Sequence, residues 1–301
     1  MVGDCRPVNH TLFIMKGNFT PMINFCHISP TEHLYLCKQQ TNHLLLAHLV
    51  EADELYARWY HLHKSIGGIS RQTYILDNSA FEMYKQGREM YPSDQLIEMG
   101  TRVLADYIVM SDYPNEHSSV TIQAAIDLAP KFISNGFGTF FVPQSRIGDI
   151  EDYIAAFAWA ASSPLIDYIG VSILGVPNAY GVERGNRLQR FISRWHMMCE
   201  LERRGILALA ESNKKKIHFL GMVDGPNEIA LCYPRFKIDT WDSSAAVWAG
   251  LNGISFDSSP TGLVDGKFEK EVDFNFKTSD KDLIRLAQTN IDRIEYLCNV
   301  K

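Results

Sequence analysis

The sequence predicts a single-domain α/β protein of the (β/α)8 TIM-barrel class. Short apolar runs alternate with segments of helical period, and no low-complexity or Pro/Ser-rich linker divides the 301 residues. Uninterrupted apolar runs are typical of strands buried on both faces of a parallel sheet. The alternation fits either an open or a closed sheet. A closed barrel commonly reaches this length as one domain, 1–301.

Most of the predicted strands are short apolar, β-branched or aromatic runs. Residues 1–42 show no regular pattern, so we predict an irregular N-terminal segment there, followed by a first strand at 43–49. The later strands are predicted at 73–76, 107–110, 139–142, 168–171, 217–223 and 236–241.

Amphipathic helices are predicted between the strands. Apolar residues recur at helical spacing over 150–161 and over 188–199, which indicates helices that pack on a sheet. The C-terminal segment, 258–301, is predicted to end in a helix over 282–298 with residues 278–280 in its cap region.

The composition is that of a folded globular protein. Hydrophobic residues make up 46% of the chain and charged residues 21%, which excludes disorder as the main state. The formal net charge of −6 gives no overall attraction to nucleic acid, but a local basic patch would suffice. The candidate nucleic-acid-binding residues are Arg184, Arg187, Arg190, Arg194, Lys214, Lys215 and Lys216.

The six cysteines are scattered and form no C-x-x-C pair. This spacing suits neither a zinc site nor a compact disulfide framework, so we expect reduced thiols, no metal, no cofactor and a cytoplasmic protein. The sequence has no recognisable secretory signal and no run of 18 apolar residues, so no membrane association is expected.

Polar residues stand at the C-terminal ends of six predicted strands. In a closed barrel these ends converge on one rim, where active sites are found. Helix capping alone would place Asp or Ser after some strands. Acids or amides after most of six strands instead predict a site, while Asp239 is expected to pair locally. The residues are Asp77, Asn78, Ser111, Asp112, Gln144, Ser172, Asp224, Asp239 and Asp242.

Several carboxylates without a metal-ligand set predict acid–base or covalent chemistry at carbon. In retaining glycosidic chemistry, one carboxylate attacks the anomeric carbon and another group handles the proton of the leaving group. Carboxylate charge also offsets the developing cation of the transition state. From the residues alone, the prediction extends to glycosidic-bond chemistry at an acid-rich rim.

From about residue 70 to 257 the sequence resembles the tRNA-guanine transglycosylase family, including its DNA-modifying branch. Six segments in the right order carry the resemblance, and it implies a closed barrel and a glycosyltransferase that exchanges bases. Residues 76–82 resemble D-S-G-G-[FY]-Q, 105–112 S-D-I-V-M-x-x-D, 141–144 V-Q-G, 169–172 G-G-L, 220–226 M-G-V-G-x-P, and 238–243 G-I-D-x-F-D-C.

The resemblance implies a role for each matching site residue. Asp242 would be the nucleophile that attacks C1′, and Asp77 would be the general acid/base for the leaving and entering bases. Asp112 would accept hydrogen bonds from the amidine edge of the base. The target nucleotide would have to leave its stack.

Five further positions are implied to bind the base. Gln144 and the backbone N–H near Gly170 would bind the base carbonyl, and Phe81 and Leu220 would stack on its two faces, with Gly221 beside Leu220.

This sequence departs from the family pattern in ways that affect the expected substrate. In the tRNA enzymes a C-x-C-x2-C motif and a distant His bind zinc, but this chain has only Cys298 after Asp242, so no zinc-binding subdomain is expected. The P-T-R stretch is replaced by 243–247. Glu82 replaces the usual Gln, and 78–80 read Asn-Ser-Ala in place of Ser-Gly-Gly.

These departures favour DNA over tRNA as the polymer. The expected function is exchange of guanine in DNA for a 7-deazaguanine such as preQ0, in the manner of the phage enzymes; a phage-encoded protein would act in the host cytoplasm. The alternatives are a tRNA-guanine transglycosylase, a non-catalytic nucleic-acid-binding accessory subunit, and a hydrolase that releases the base. The missing zinc region leaves no basis for expecting a dimer.

Overall fold

The computed structural model describes residues 23–66, 72–183, 185–222, 225–233, 235–256 and 270–299. Within these ranges, eight parallel strands form a nearly closed barrel with helices between them, which confirms the predicted (β/α)8 class. The strands are β1 (Asn24–His27), β2 (Asn42–Leu46), β3 (Thr73–Asp77), β4 (Tyr107–Val109), β5 (Gly138–Phe141), β6 (Tyr168–Ser172), β7 (Lys216–Leu220) and β8 (Thr240–Ser243).

Neighbouring strands pair in parallel around the barrel in the order β1-β8-β7-β6-β5-β4-β3-β2. The two terminal strands of this order, β1 and β2, contact each other and nearly close the ring. In register, Cys26 pairs with Asp242 and Leu46 with Asp77, so both predicted catalytic aspartates lie near the carboxyl ends of their strands.

Helices follow most strands and cover the outside of the barrel. A 3-10 helix (Thr31–Cys37) follows β1. The α-helices are α1 (Ala47–Ala52), α2 (Glu54–Ile66), α3 (Ala80–Gln86), α4 (Ser93–Val103), α5 (Ser118–Ser134), α6 (Ile150–Ser162), α7 (Gly175–Ala179), α8 (Arg187–Arg203), α9 (Ile206–Ser212), α10 (Pro226–Cys232), α11 (Ala245–Leu251) and α12 (Lys281–Asn299).

Three aspartates fix the amino-terminal end of the barrel. Asp106, Asp167 and Asp239 each directly precede an even-numbered strand. Their carboxylates accept backbone N–H bonds at the starts of β3, β5 and β7, from Tyr74 (2.7 Å), Thr139 (2.9 Å) and Ile217 (2.8 Å). The local, structural role expected for Asp239 is therefore confirmed, and this residue lies at the end of the barrel opposite the predicted site.

The predicted C-terminal helix is confirmed as α12, which packs closely on α11. A Cβ atom at Gly250 would lie 2.2 Å from Cα of Ala287, so only glycine permits this approach. Asn290 joins the two helices, since its amide donates to the carbonyls of Ala246 (3.2 Å) and Ile254 (2.9 Å). The C-terminal helix is thus part of the barrel's outer layer.

Strand boundaries differ from prediction where the periodic signal is short or continues into a helix. The segment predicted as irregular contains β1 and the 3-10 helix, because β1 has only four residues and two of them, Asn24 and His27, are polar. The apolar run at 43–49 is a strand only to Leu46, after which α1 continues it. The last strand begins at Thr240 rather than 236.

Candidate active site

The carboxyl-end rim gathers most of the predicted site residues. Asp77 ends β3, Asp112 follows β4, Gln144 follows β5, and Asp242 lies in β8. Asp77 and Asp242 lie on opposite sides of β1 and β2, three strands apart around the ring. The carboxylates act on one another electrostatically, because the charges of Asp242 and Asp112 both raise the pKa of Asp77.

The carboxylate of Asp242 is held through one of its two oxygens. Oδ1 accepts a hydrogen bond from Nε2 of His218 (2.9 Å) and one from the backbone N–H of Gly221 (3.2 Å). Among the residues that the structure describes, Oδ2 has no hydrogen-bond donor. The Asp242 side chain is 8% exposed, so one of its oxygens is held by two donors while the other keeps its capacity to accept or to bind.

His218 is a site residue that the sequence analysis missed. It lies in β7 with a fully buried ring, and its Nδ1 lies 2.7 Å from Oγ1 of Thr240. The ring packs edge-on against Phe140, at 5.2 Å between centroids. A histidine inside an apolar strand needs hydrogen-bond partners when buried. A polar histidine within an apolar run was therefore the signal in the sequence. The sequence spacing does not reveal that its partners lie on β8.

Gly221 occupies a turn that serves Asp242. Its φ of +69° is a left-handed conformation that favours glycine, and its N–H points to Asp242. Its carbonyl accepts hydrogen bonds from Arg194 (3.1 Å) and from the indole N–H of Trp241 (2.9 Å). Gly221, which the resemblance implies to be a base-binding residue, directs its backbone N–H to Asp242 in this structure.

Arg194 lies in the interior behind this turn. It is 1% exposed, pairs with Glu228 at 3.2 Å and donates to the carbonyl of Val171 at 3.1 Å. Arg194 therefore supports the β6–β7 side of the site and is not accessible to a phosphate in this conformation, contrary to its predicted role in nucleic-acid binding.

The surroundings of Asp77 disfavour its ionised form. Burial, followed by the charges of Glu82 and Asp242, raises the pKa of Asp77 well above the usual value for aspartate. Within the described part of the chain, the contact that favours its carboxylate form is the backbone N–H of Ser79, at 2.9 Å from Oδ2. A raised pKa favours the protonated form of this carboxyl, which is the form that a general acid needs.

The turn after Asp77 is strained. Ser79 has φ 55° and ψ 33°, a left-handed conformation that costs a non-glycine residue about 1 kcal/mol. Its hydroxyl compensates by contacting the backbone N–H (3.2 Å) and Nδ1 (2.9 Å) of His48. The family pattern that this segment resembles has glycine at this position, and a left-handed conformation favours glycine. Serine occupies the position here, and its hydroxyl contacts with His48 offset part of the strain.

Glu82 adds another titrating carboxyl to this side of the rim. Burial, with a smaller contribution from Asp242, raises the pKa of Glu82 to about 7. Burial lowers the pKa of His48 to about 4, so this imidazole, 4.0 Å from Glu82, is neutral at neutral pH.

Asp112 is bracketed by two amides. Asn78 donates to Oδ1 at 2.7 Å and also to the carbonyl of Met110, while Gln144 donates to Oδ2 at 2.5 Å. Burial raises the pKa of Asp112 to about 6, although both amides lower it. Oε1 of Gln144 is buried and has no hydrogen-bond partner among the described residues. The Asp112–Gln144 pair therefore retains acceptor capacity for a ligand with N–H groups.

The structure places the three remaining predicted base-binding residues in different environments. Phe81 on α3 is 49% exposed, as a stacking residue on the rim requires. Leu220 ends β7 and is partly buried. Gly170 lies within β6, where Leu220, Phe140 and Val142 leave no room for a Cβ atom, with contacts of 2.8, 2.8 and 3.1 Å. Side chains therefore cover Gly170 on the barrel's inner face.

The lysine cluster lies at the opposite end of the barrel from the carboxylates. Lys216 begins β7, and its ammonium lies over the rings of Tyr107 and Tyr168. Lys215 is buried and donates to two backbone carbonyls, while Lys214 is exposed. Arg190 donates to the carbonyl of Ile173 at 3.1 Å. Arg184 and the side chain of Arg187 lie outside what the structure describes, as do Val223 and Asp224.

No protein-family model matches this sequence, and a search of curated proteins finds no match. Within the described ranges, no group of three or more His, Cys, Asp or Glu side chains is arranged to hold a metal ion. In the same ranges, no helix has the length and apolar character needed to cross a bilayer.

Proposed function

We propose that this protein is a base-exchange enzyme that replaces guanine in DNA by a 7-deazaguanine, preQ0 or a derivative, through a covalent aspartyl-sugar intermediate. One observation carries the proposal: the rim holds Asp242 with one carboxylate oxygen fixed by two donors and the other without one among the described residues, and also Asp77, whose pKa is raised by burial and by neighbouring carboxylates. Double displacement at a glycosidic carbon needs one nucleophilic and one protonated carboxyl.

In the first displacement, Oδ2 of Asp242 forms a bond to C1′ of the target nucleotide. The C1′–N9 bond breaks, its electron pair stays with guanine, and the proton of Asp77 passes to the leaving base. The negative charge of Asp242 offsets the positive charge that develops on the sugar. The products are neutral guanine, an aspartyl ester and ionised Asp77.

The second displacement reverses these roles. N9 of the incoming 7-deazaguanine attacks C1′, the ester bond to Asp242 breaks, and the N9 proton passes to Asp77. Both side chains return to their starting states, so the exchange needs no other reactant. Attack by water at the same carbon would instead release the base and leave an abasic sugar.

The bracketed carboxylate of Asp112 is suited to the base edge. Guanine and 7-deazaguanine share an N1–H and an exocyclic amine, and a carboxylate accepts such a pair of donors. The unpartnered Oε1 of Gln144 supplies a further acceptor, and the exposed ring of Phe81 a stacking surface. A base that is stacked in a duplex must be flipped out to reach these groups.

DNA is proposed rather than tRNA because the cysteines that bind zinc in the tRNA enzymes have no counterpart after Asp242 in this sequence. The basic residues named from the sequence give little support to either polymer. Arg194 is buried, and the lysine cluster lies at the far end of the barrel.

Guanine exchange tests the proposal. Purified protein is incubated with radiolabelled guanine and either duplex DNA or bulk tRNA at matched salt, because phosphate affinity depends on salt. We expect label in DNA, and none with Asp242→Ala. Label in tRNA would establish the tRNA-specific alternative. Label in neither polymer, with nucleic acid still bound, would indicate an accessory subunit, and free base with abasic sugar a hydrolase.

A further inference from the structure

The two oxygens of Asp242 are in different environments, and a buried side chain creates much of the difference. Oδ1 has two donors, His218 Nε2 at 2.9 Å and the N–H of Gly221 at 3.2 Å, while Oδ2 has none among the described residues. His218 is fully buried and cannot contact a substrate directly.

We propose that His218 is a positioning residue that makes Oδ2 of Asp242 the attacking oxygen and makes the Asp242 carboxylate a good leaving group in the second displacement. This inference rests on the proposed function. It assigns a role in base exchange to a histidine that lies one layer below the reacting atoms.

The hydrogen bond to Asp242 places a proton on one nitrogen of His218. A carboxylate accepts only, so the nitrogen that faces Asp242 must carry a proton, and Nε2–H donates to Oδ1. In the neutral imidazole, Nδ1 is then an acceptor, and the hydroxyl of Thr240 donates to it over 2.7 Å. Thr240 therefore holds the ring in the tautomer that serves Asp242.

This arrangement has opposite effects on the two displacements. A donor to Oδ1 withdraws electron density from the carboxylate, so it weakens the nucleophile slightly. When the aspartyl ester is expelled by the incoming base, charge returns to the carboxylate, and the same donor stabilises that charge. No proton moves through His218 in either step. Loss of the donor should therefore slow breakdown of the covalent intermediate more than its formation.

Two substitutions separate positioning from mere packing. His218→Leu removes the donor, while His218→Gln retains an N–H group with similar reach. Hydrogen bonds to charged groups are strong enough that the Leu variant should lose exchange on the order of 10- to 100-fold. It should still form the covalent DNA adduct, which should accumulate on a denaturing gel. The Gln variant should recover most of the exchange rate.

Thr240→Val provides a second variant that leaves His218 in place. It removes the partner of Nδ1, so exchange should fall several-fold and the adduct should accumulate partly. His43→Leu is a matched control, since His43 is a buried strand histidine that hydrogen-bonds to the carbonyl of Gln40, away from the rim. Any loss of exchange in this control should come without adduct accumulation.

The outcomes are distinguishable. Exchange and adduct levels that are unchanged in His218→Leu and Thr240→Val would overturn the positioning role. So would a loss of adduct in Leu and Gln variants alike, which would indicate a packing role. If His218→Leu fails to fold, Thr240→Val decides by the same readout. If the wild-type protein neither exchanges base nor forms an adduct, the proposed function itself fails, and this inference fails with it.

Discussion

Replacing Asp112 by asparagine should stabilise the protein at neutral pH and have little effect in acid. Burial raises the pKa of Asp112 from 3.8 to about 6. Between these values the folded state binds a proton that the unfolded state has released, so the free energy of unfolding falls as pH rises. A shift of about 2 pKa units corresponds to roughly 3 kcal/mol. Asparagine does not ionise and avoids this loss.

The site can accept asparagine by exchanging one unpaired atom of Gln144 for another, Nε2 in place of Oε1. An amide at position 112 would present an N–H group to Gln144, which now donates to Oδ2. Because Oε1 of Gln144 has no partner within the described residues, rotation of that amide by 180° lets it accept the new hydrogen bond. The substitution should therefore expose the ionisation cost with little change in packing.

Urea unfolding of both proteins between pH 4 and pH 8 measures the effect. The variant should match the wild-type protein near pH 4 and exceed its stability by roughly 3 kcal/mol above pH 7. Asp282→Asn is the control, since Asp282 is 80% exposed and its replacement should change stability by no more than about 0.5 kcal/mol. A stability difference at position 112 that does not vary with pH would refute the reasoning.

Three further substitutions test the surroundings of the site. Ser79→Gly should be about 1 kcal/mol more stable than Ser79→Ala in urea unfolding, because both lose the contact with His48 but only alanine keeps the strain at φ 55°; equal stabilities would contradict this. Glu228→Gln should lower stability by about 3 kcal/mol or more, because Arg194 remains buried without its anion; a loss below 1 kcal/mol would show that the carbonyls suffice. Lys214→Ser should leave guanine exchange unchanged over a salt series, because this lysine lies at the far end of the barrel, and a weaker salt dependence would place it at the polymer.

The barrel was predictable because its central strands are apolar on both faces. The runs predicted at 73–76 and 168–171 differ from β3 and β6 by one residue at a single end. β1 could not be predicted in the same way, because it has only four residues and polar residues at both ends. Such a segment shows no hydrophobic periodicity. It becomes a strand by pairing with β8, in which Cys26 meets Asp242 across a long sequence separation.

Some features of the site were visible in the sequence and others were not. Asp77 and Asp242 stand out because each occurs at a strand end within a recognisable segment. The contacts that set their chemistry join distant parts of the chain. Arg194 illustrates the limit: its spacing on α8 suggested a basic surface, whereas the fold buries it against Glu228 and Gly221. Hydrophobic periodicity shows on which face of a helix a residue lies. It does not show which part of the fold packs against that face.

The central claim is that Asp242 forms a covalent bond to the sugar, and trapping that adduct tests it most directly. Protein and duplex DNA are mixed with a 7-deazaguanine or guanine, denatured, and digested for mass spectrometry. The account predicts a deoxyribosyl adduct on the peptide that contains Asp242, and its loss in Asp242→Asn, in which a neutral amide replaces the nucleophile. An adduct that persists in Asp242→Asn, or that maps to another residue, would contradict it.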